Sequence, residues 1–135
     1  MADIKFEDYS IEVKQAIAEK CVAVLEECAG EVESQVKRNT RVDTGQTKNS
    51  WEHKVIDSEQ VAYIGSNYEN AIWEEFGTGD YALNGNGRKG GWFFEDEKGE
   101  GHYTHGKKPS RAFFHAYTSL KSQIITRIQN ALKGL

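Results

Sequence analysis

The amino-acid sequence has few of the features that anchor or cross-link small proteins. It contains one proline and two cysteines, and its longest apolar run covers only residues 21–25. A helix that crosses a membrane needs about 20 apolar residues, so we expect no membrane segment and no membrane partner. Cys21 and Cys28 fall on one predicted helix, separated by roughly 10 Å of helical rise, which prevents a disulfide bridge between them. We therefore expect reduced thiols that pack as small hydrophobic side chains.

Length and composition fit a single compact unit. The 135 residues, of which 38% are hydrophobic and 28% charged, are sufficient for one domain over residues 1–135. The net charge of −4 is unevenly distributed, because residues 1–80 carry 8 basic and 17 acidic side chains whereas residues 81–135 carry 9 and 4. This segregation indicates either differently charged solvent faces or subunits that meet head to tail, acidic surface against basic.

Two long amphipathic helices are predicted, one near each end of the chain. The first covers Ser10 to about Lys37, with Ser10 as its N-cap, and the second starts at Ser110, after Pro109. Both are long enough to cross the whole domain, and their apolar stripes are predicted to face the core. The two stripes consist of Val13, Ile17, Cys21, Leu25, Cys28, Val32 and Val36, and of Phe113, Tyr117, Leu120, Ile124, Ile128, Ala131 and Leu135.

Between these helices the sequence predicts two hairpins and a short helix. Short runs rich in aromatic and β-branched residues flank polar or glycine-rich turns, as is typical of hairpin strands. The four strands and the short helix are predicted at residues 51–56, 61–65, 92–94, 102–104 and 70–76. The predicted fold class is α+β, with an antiparallel β-sheet of two hairpins packed against the N- and C-terminal helices.

No pattern in the sequence indicates a catalytic, metal or cofactor site. Residues 85–90 fit G-x-G-x-x-G, but the next residues predict a strand, whereas a dinucleotide site needs a helix whose N-terminus meets the pyrophosphate. His102 and His105 would point to opposite faces of a strand, and Glu74 and Glu75 would diverge by about 100° on a helix. We therefore expect a glycine-rich loop, no catalytic residues, no metal, no cofactor and no small-molecule substrate.

Three stretches carry short motifs that are moderately specific singly and strong in combination. Residues 42–50 read VDTGQTKNS, residues 71–79 read AIWEEFGTG, and residues 92–116 contain the order Trp, Gly, Thr, Pro, Phe, Ala. They resemble the VDTG-x-L-R-x-S, YA-x-x-x-EFGTG and W-x-Y-x-D…G…T-x-G-x-x-P-x-PF…A signatures of the tail-component family of long-tailed phages. With the flanking helices, the resemblance covers the chain. The sequence departs from these signatures at Thr47, Lys48, Asn70 and Ala112.

The resemblance implies a non-enzymatic structural protein of a phage or prophage virion. Members are described as head–tail joining, neck or tail-completion proteins, so we expect a ring of copies at the head–tail junction, assembled in the host bacterial cytoplasm. Expected partners are copies of the chain, other phage head-completion and tail proteins, and genome DNA in the lumen of the ring. Strand addition at the sheet edges or at the second hairpin would supply contacts between subunits.

The motif residues are expected to determine the fold rather than to bind a ligand. Asp43-Thr44-Gly45 is typical of a turn that starts a short helix ending near Ser50. A helix would end at Gly77 through a positive φ angle, and Phe76 would fill the core beside it. The expected scaffold residues are Asp43, Thr44, Gly45, Ser50, Ala71, Glu75, Phe76, Gly77, Thr78, Trp92, Pro109 and Phe113.

A second hypothesis is a small nucleic-acid-binding module in residues 84–111. The region combines cations that could contact phosphates with the aromatic side chains of Trp92 and Tyr103. Duplex DNA binding by the isolated monomer, weakening as salt rises, would favour this hypothesis over assembly. The same cations could instead contact a neighbouring subunit in a ring. They are Arg88, Lys89, Lys107, Lys108 and Arg111.

Overall fold

A computed structural model describes residues 7–42 and 45–134 of the chain. It has the α+β class that the sequence predicts. The elements in chain order are α1 (Ser10–Asn39), α2 (Gln46–Ser50), β1 (Trp51–Ile56), β2 (Val61–Ser66), α3 (Asn70–Phe76), a 3-10 turn (Gly79–Tyr81), β3 (Trp92–Glu95), β4 (Gly101–Thr104) and α4 (Ala112–Lys133). Within the two described ranges, none of the helices combines the length and apolarity needed to cross a membrane.

The four strands form two separate antiparallel hairpins. In the first, Trp51 lies opposite Ser66 and Ile56 opposite Val61. In the second, the pairing runs from Trp92 opposite Thr104 to Glu95 opposite Gly101. Both predicted hairpins are confirmed, and each is a two-stranded sheet of its own. Helix α1 packs across the first hairpin, which places this hairpin in the main core.

The core lies where α1, α4, β1 and α3 meet. Helix α4 runs antiparallel to α1, because Asn39 Nδ2 donates to the Ala112 carbonyl at one end and Arg127 Nη2 donates to Glu31 Oε1 further along. Two alanines of α4 face α1, and their small side chains let the helices approach closely. The buried cluster consists of Val32, Val36, Trp51, Ala71, Ala112 and Ala116.

The beginnings of both long helices differ from the prediction. Tyr9, not Ser10, occupies the N-cap of α1, and Asp8 Oδ1 accepts the Ser10 N–H at 2.9 Å. Helix α4 begins at Ala112 rather than Ser110, whose N–H donates to the Glu74 carbonyl at 2.8 Å. The start of α1 is therefore set by the neighbouring Asp8, whereas the start of α4 depends on a distant backbone group of α3, which the local sequence signal does not reveal.

The predicted apolar stripe of α4 is also shifted. Ala116 is fully buried, whereas Tyr117 is exposed, because only a small side chain fits where α4 crosses α1. Phe113, Leu120 and Ile124 do pack against the buried cluster as predicted. Leu135, the last predicted member of the stripe, lies outside the described residues.

The first three turns of α1 project beyond the rest of the core. Helix α1 has 30 residues and α4 has 22, and the C-terminal end of α4 meets α1 near Cys21, where Ile128 and Leu132 line a small cavity. Val13 and Ile17 were expected to be buried, but they are 53% and 39% exposed. The apolar stripe of α1 thus continues past the end of the helix that covers it.

His53 attaches the first hairpin to α1. Its Nε2 lies 2.6 Å from Glu26 Oε1, and its Nδ1 lies 3.4 Å from Glu33 Oε1. The hydrogen bond with Glu26 is the largest effect that raises the pKa of His53, and the charges of both carboxylates raise it further, although burial opposes them. The two glutamates therefore favour the protonated form of the ring.

This raised pKa predicts a pH-dependent contribution of His53 to stability. Because the pKa of His53 is higher in the folded than in the unfolded protein, the contacts of the protonated ring stabilise the fold. This stabilisation is fully present below the ordinary histidine value of 6.5 and is lost as the pH rises through the folded-state pKa. The difference in free energy of unfolding between the wild type and His53→Gln, measured in urea at a series of pH values, should shrink as the pH rises above 6.5. Repeating the comparison in a Glu26→Gln background should reduce this pH dependence. A difference that stays constant with pH would contradict the assignment.

Candidate interaction site at the α3–α4 junction

A buried carboxylate of α3 caps the N-terminus of α4. Glu75 is only 7% exposed, and its Oε2 and Oε1 accept the backbone N–H groups of Phe113 and Phe114, each at 3.0 Å. These N–H groups belong to the first turn of α4 and have no partner within their own helix. The negative charge of the carboxylate also interacts favourably with the helix dipole. Glu75 therefore fixes how α3 sits against α4.

Arg111 completes this cap in an unusual backbone conformation. It is the N-cap of α4 with φ 56° and ψ 32°, a left-handed conformation that is uncommon for residues other than glycine. Its Nη1 lies 3.8 Å from Glu75 Oε1, and its guanidinium carbon lies 5.4 Å from the ring centre of Phe76 and 4.5 Å from that of Phe114. Arg111 thus balances the charge of Glu75 and covers two aromatic rings.

Phe76 does not fill the core, which corrects the sequence-based expectation. It is 40% exposed and lies at the surface beneath Arg111. The aromatic side chains that do pack at the core are Trp51 and Phe113, whose rings stack with centres 5.9 Å apart. The local motif could not indicate this contact, because the Trp51–Phe113 stack joins distant parts of the chain.

Glu74 diverges from Glu75, as the helical spacing predicts. Its carboxylate forms an ion pair with Lys107 and lies 3.2 Å from Arg41 Nη2. Arg41 also donates to the Lys108 carbonyl at 2.7 Å, so it joins the end of α1 to the segment that leads into α4. Sequence reasoning missed Arg41, since 67 positions separate it from Lys108 and no local signal links them.

The glycines after α3 allow two backbone segments to approach closely. Gly77 has φ 79°, and a Cβ atom there would lie 2.9 Å from the Lys107 carbonyl oxygen and from Pro109 Cδ. Thr78 donates its N–H to the Lys107 carbonyl at 2.9 Å, and its Oγ1 accepts the Lys107 N–H at 2.8 Å. At Gly79 a Cβ atom would lie only 2.2 Å from the His105 carbonyl oxygen. The two segments can therefore pair only if these positions lack side chains.

The G-x-G-x-x-G stretch is a loop, as predicted, and strand β3 follows it. Gly87 packs against Gly79, where an added Cβ atom would lie 2.1 Å from the Gly79 carbonyl oxygen. Gly90 donates its N–H to Asp80 Oδ1 at 3.2 Å and accepts the Tyr103 hydroxyl at 2.7 Å. These contacts attach the loop to the second hairpin.

The histidines of the second hairpin have separate carboxylate partners. His102 Nε2 lies 2.8 Å from Asp96 Oδ2, and His105 Nδ1 lies 2.9 Å from Asp80 Oδ2. Each of these hydrogen bonds is the largest effect that lowers the pKa of its aspartate. Ligand atoms of Asp96, Glu100 and His102 lie within 4.8 Å of one another, but Asp96 Oδ1 also accepts the backbone N–H groups of Lys98 and Glu100 in the hairpin turn. We assign this group to the turn rather than to a metal ion.

The remaining motif residues lie at some distance from the α3–α4 junction. Gly45, with φ 84°, precedes α2, and Ser50 Oγ lies 2.6 Å from Ser66 Oγ, which ties α2 to the end of β2. Ala71 is in the core, and Trp92 faces Trp73 across a shallow groove. Asp43 and Thr44 lie outside the described residues. The residues that the structure brings together are Glu75, Phe76, Gly77, Thr78, Pro109 and Phe113.

The predicted phosphate or inter-subunit cations are held by different neighbours. Lys107 and Arg111 pair with Glu74 and Glu75, respectively. Arg88 lies 5.3 Å from the ring centre of Trp92, and the Lys108 ammonium lies 5.7 Å from that of Tyr81. The charge of Lys89 acts on the Asp80 carboxylate.

An open apolar groove lies beside the Glu75 cap. Its volume is about 320 Å³, and we call it the aromatic groove. Ser66, Glu75 and Arg111 contribute its polar side chains. Ser66 Oγ lies 2.6 Å from Ser50 Oγ, and Glu75 and Arg111 are already engaged at the start of α4. Ile72, on its rim, is 57% exposed. The apolar lining includes Trp51, Ile64, Ile72, Phe76, Phe113 and Phe114.

Removal of the Glu75 carboxylate should destabilise the fold. We predict that Glu75→Ala lowers the free energy of unfolding by about 2–3 kcal/mol, because two partly buried N–H groups lose their acceptor and Arg111 loses its partner. Glu75→Gln, which keeps one acceptor oxygen, should cause a smaller loss. The control Glu59→Ala, in the exposed turn of the first hairpin, should change stability by less than about 0.5 kcal/mol. Equal effects of the two alanine substitutions in urea unfolding would refute the cap.

Two glycines with similar φ angles allow conformational strain to be measured separately from close packing. Gly79 has φ 61° and Gly85 has φ 69°, but only at Gly79 would a Cβ atom meet other backbone atoms. Gly85→Ala should therefore cost about 1–2 kcal/mol, the strain of a left-handed alanine. Gly79→Ala should cost at least about 2 kcal/mol more in thermal or urea unfolding. Similar losses for both variants would show that the close approach contributes little.

Comparison with known proteins agrees with the resemblance seen in the sequence. The profile of the family described as "Bacteriophage HK97-gp10, putative tail-component" matches residues 4–77, more than half of the 135-residue chain. The match includes residues 42–50 and the α3 motif as far as Gly77. No curated protein and no solved structure matches the chain. From the matched residues, the chain belongs to the HK97-gp10-like family of phage tail components.

Proposed function

We propose that this phage tail component acts at the head–tail junction, as a non-enzymatic protein of tail completion or head–tail joining. It works as a ring of copies through which the genome passes. The observation that carries the proposal is membership in a family of tail components, which supports a structural role in the virion. The engagement of Glu74 and Glu75 in contacts that hold the fold together further supports a role without catalysis.

The whole chain, residues 1–135, acts in this proposal as one domain. Its support is that α1 and α4, from opposite ends of the chain, share one buried cluster with β1 and α3. A rigid unit of this kind suits a protein whose work is to hold neighbours at fixed positions.

The second hairpin is the surface that we assign to contacts with adjoining virion proteins, copies of this chain included. It has two strands, so within the described residues the outer edge of each lacks a sheet partner. Its side chains include exposed aromatic rings: Phe93 is 78% exposed, and its ring centre lies 4.8 Å from that of Tyr103. Open strand edges with exposed aromatic side chains favour strand addition by another chain.

Contact with proteins is favoured over contact with DNA. Lys107 and Arg111 are paired with glutamates, so a phosphate would have to compete with these carboxylates. In the proposed ring, the exposed cations Arg88, Lys89 and Lys108 face the lumen and contact the genome. These positions were among those predicted from the sequence.

Removing the protein from the phage or prophage that encodes it tests the proposal. A stop codon early in its coding sequence should give DNA-filled heads beside separate finished tails in negative-stain images, with infectivity restored by the wild-type protein from a plasmid. Normal, infectious virions lacking the protein would exclude the joining role. Complementation with Glu59→Ala, in the exposed turn of the first hairpin, provides a control in which a folded variant is expected to restore joining.

A further inference from the structure

We propose that the second hairpin of one copy packs on the outer face of α4 of a neighbouring copy, with Glu95 of the hairpin paired to Lys121 of the helix. This contact builds the ring of the proposed function, on which the inference rests. Three observations carry it: both surfaces expose apolar side chains, their unpaired charges are opposite, and the side chains that would meet are similarly spaced.

One face of the second hairpin carries exposed aromatic rings beside an unpaired carboxylate. Phe93 and Tyr103 form a cross-strand pair on this face, and Glu95 shares it, because alternate residues of a strand point the same way. Gly101 lies opposite Glu95 and has no side chain that could cover the carboxylate. In the described part of the chain, Glu95 forms no ion pair.

The Phe93 face of the hairpin is open to solvent. Trp92 and Phe94, on the opposite face, line the shallow groove shared with Trp73 and so have a neighbour in their own chain. Among the described residues, Phe93 is the most exposed large hydrophobic side chain. A two-stranded sheet is only marginally stable by itself in water, so burial of this face against another protein would stabilise the hairpin.

Helix α4 has a second apolar face that its own chain leaves exposed. Phe114, Tyr117, Lys121 and Ile125 follow one another at steps of three, four and four residues, and all four are exposed. This spacing places them on one side of the helix, which differs from the side on which Ala116 is buried. We call these four residues the outer stripe of α4.

The tip of the hairpin is acidic. Residues 95–100 carry four carboxylates and one lysine. Asp96 is held by the turn, whereas Glu95, Glu97 and Glu100 are exposed. A surface that covers this end of the hairpin must therefore supply cations rather than further carboxylates.

The outer stripe of α4 supplies such a cation. Residues 101–135 carry six cations and no carboxylate, and three of the cations pair with glutamates of α1 and α3. The ammonium of Lys121 lies 5.7 Å from the ring centre of Tyr117, and within the described ranges it has no carboxylate partner. The same chain thus offers an acidic aromatic surface and a basic apolar one, which favours a second copy of this chain as the partner.

The side chains that would meet have matching distances along the two elements. Phe93 and Glu95 are two residues apart on a strand, a rise of about 6.6 Å. Lys121 is four residues from Tyr117 on one side and from Ile125 on the other, a helical rise of about 6 Å each way. When Glu95 pairs with Lys121, Phe93 therefore lies within reach of an apolar side chain of the outer stripe.

The contact joins different copies of the chain. Phe93 and the outer stripe are both exposed in one copy, so they do not cover each other there. The base of the hairpin is fixed, because residues 78–80 donate N–H groups to carbonyls of residues 105–107. Since the two surfaces differ, repeated contacts produce a closed ring when the rotation between copies closes, and a filament when it does not.

Exchange of charge between two variants tests this contact directly. Glu95→Lys places a lysine opposite Lys121, and Lys121→Glu places a glutamate opposite Glu95, so like charges meet in each variant. Each alone should associate at least about tenfold more weakly than the wild type in analytical ultracentrifugation. An equimolar mixture should recover wild-type association, because every hairpin of one variant then meets the opposite charge on α4 of the other.

The apolar part of the contact is tested by Phe93→Ala. Loss of this ring should weaken self-association by at least about tenfold, as expected for an aromatic residue at the centre of an interface. The fold should be unaffected, because the side chain is exposed in the single copy. Unchanged association of this variant would contradict the proposed contact.

Controls separate this contact from loss of folding and from unspecific effects of charge. Lys54→Glu and Glu59→Lys make the same charge changes at exposed positions of the first hairpin and should associate like the wild type. Circular dichroism should show all variants folded.

Three results would overturn the inference. The first is a wild type that stays monomeric up to about 1 mM, which would leave the hairpin to a different virion protein. The others are charge variants that associate normally, and a mixture that associates as weakly as its components. None of these results would alter the outcome of the stop-codon experiment, which tests the joining role separately.

Discussion

The Glu75 carboxylate at the N-terminus of α4 is the interaction on which the arrangement of the C-terminal half depends. It accepts two N–H groups of a helix that begins 37 residues further along the chain. Because Glu75 is buried, leaving its carboxylate or the two N–H groups without a partner would lower the stability of the fold. The left-handed Arg111, the ion pairs of Glu74 and the positive φ of Gly77 all follow from bringing α3 and the start of α4 together.

The same interaction produces the aromatic groove. Since α3 is fixed against α4, Ile72 and Phe76 on one helix and Phe114 on the other stand side by side at the surface. Within the family motif, Glu75 and Gly77 thus fix the junction, and Glu75 and Phe76 line the groove. The contacts that hold the fold together and the open groove belong to one structural element.

The parts of the fold that local chemistry determines could be predicted from the sequence. The hairpin strands and the short helix over residues 70–76 were predicted with nearly the observed limits, because aromatic and β-branched runs and terminating glycines act on near neighbours. The start of α4 could not be predicted, since the groups that bond its first N–H groups come from α3. The exposure of Val13 and Ile17 was missed for a related reason: periodicity reveals an apolar face but not where its intramolecular partner ends. Of the candidate site, the motif residues were identified, whereas Arg41 and the groove required the tertiary structure.

Imaging of the intact virion tests the central claim most directly, namely that this chain works through surfaces offered to copies of itself at the head–tail junction. A cryo-electron microscopy reconstruction of that junction should contain a ring of this chain, with the second hairpin of each copy in contact with a neighbouring protein. A junction that lacks the chain, or a ring in which the second hairpin contacts no other protein, would contradict the account.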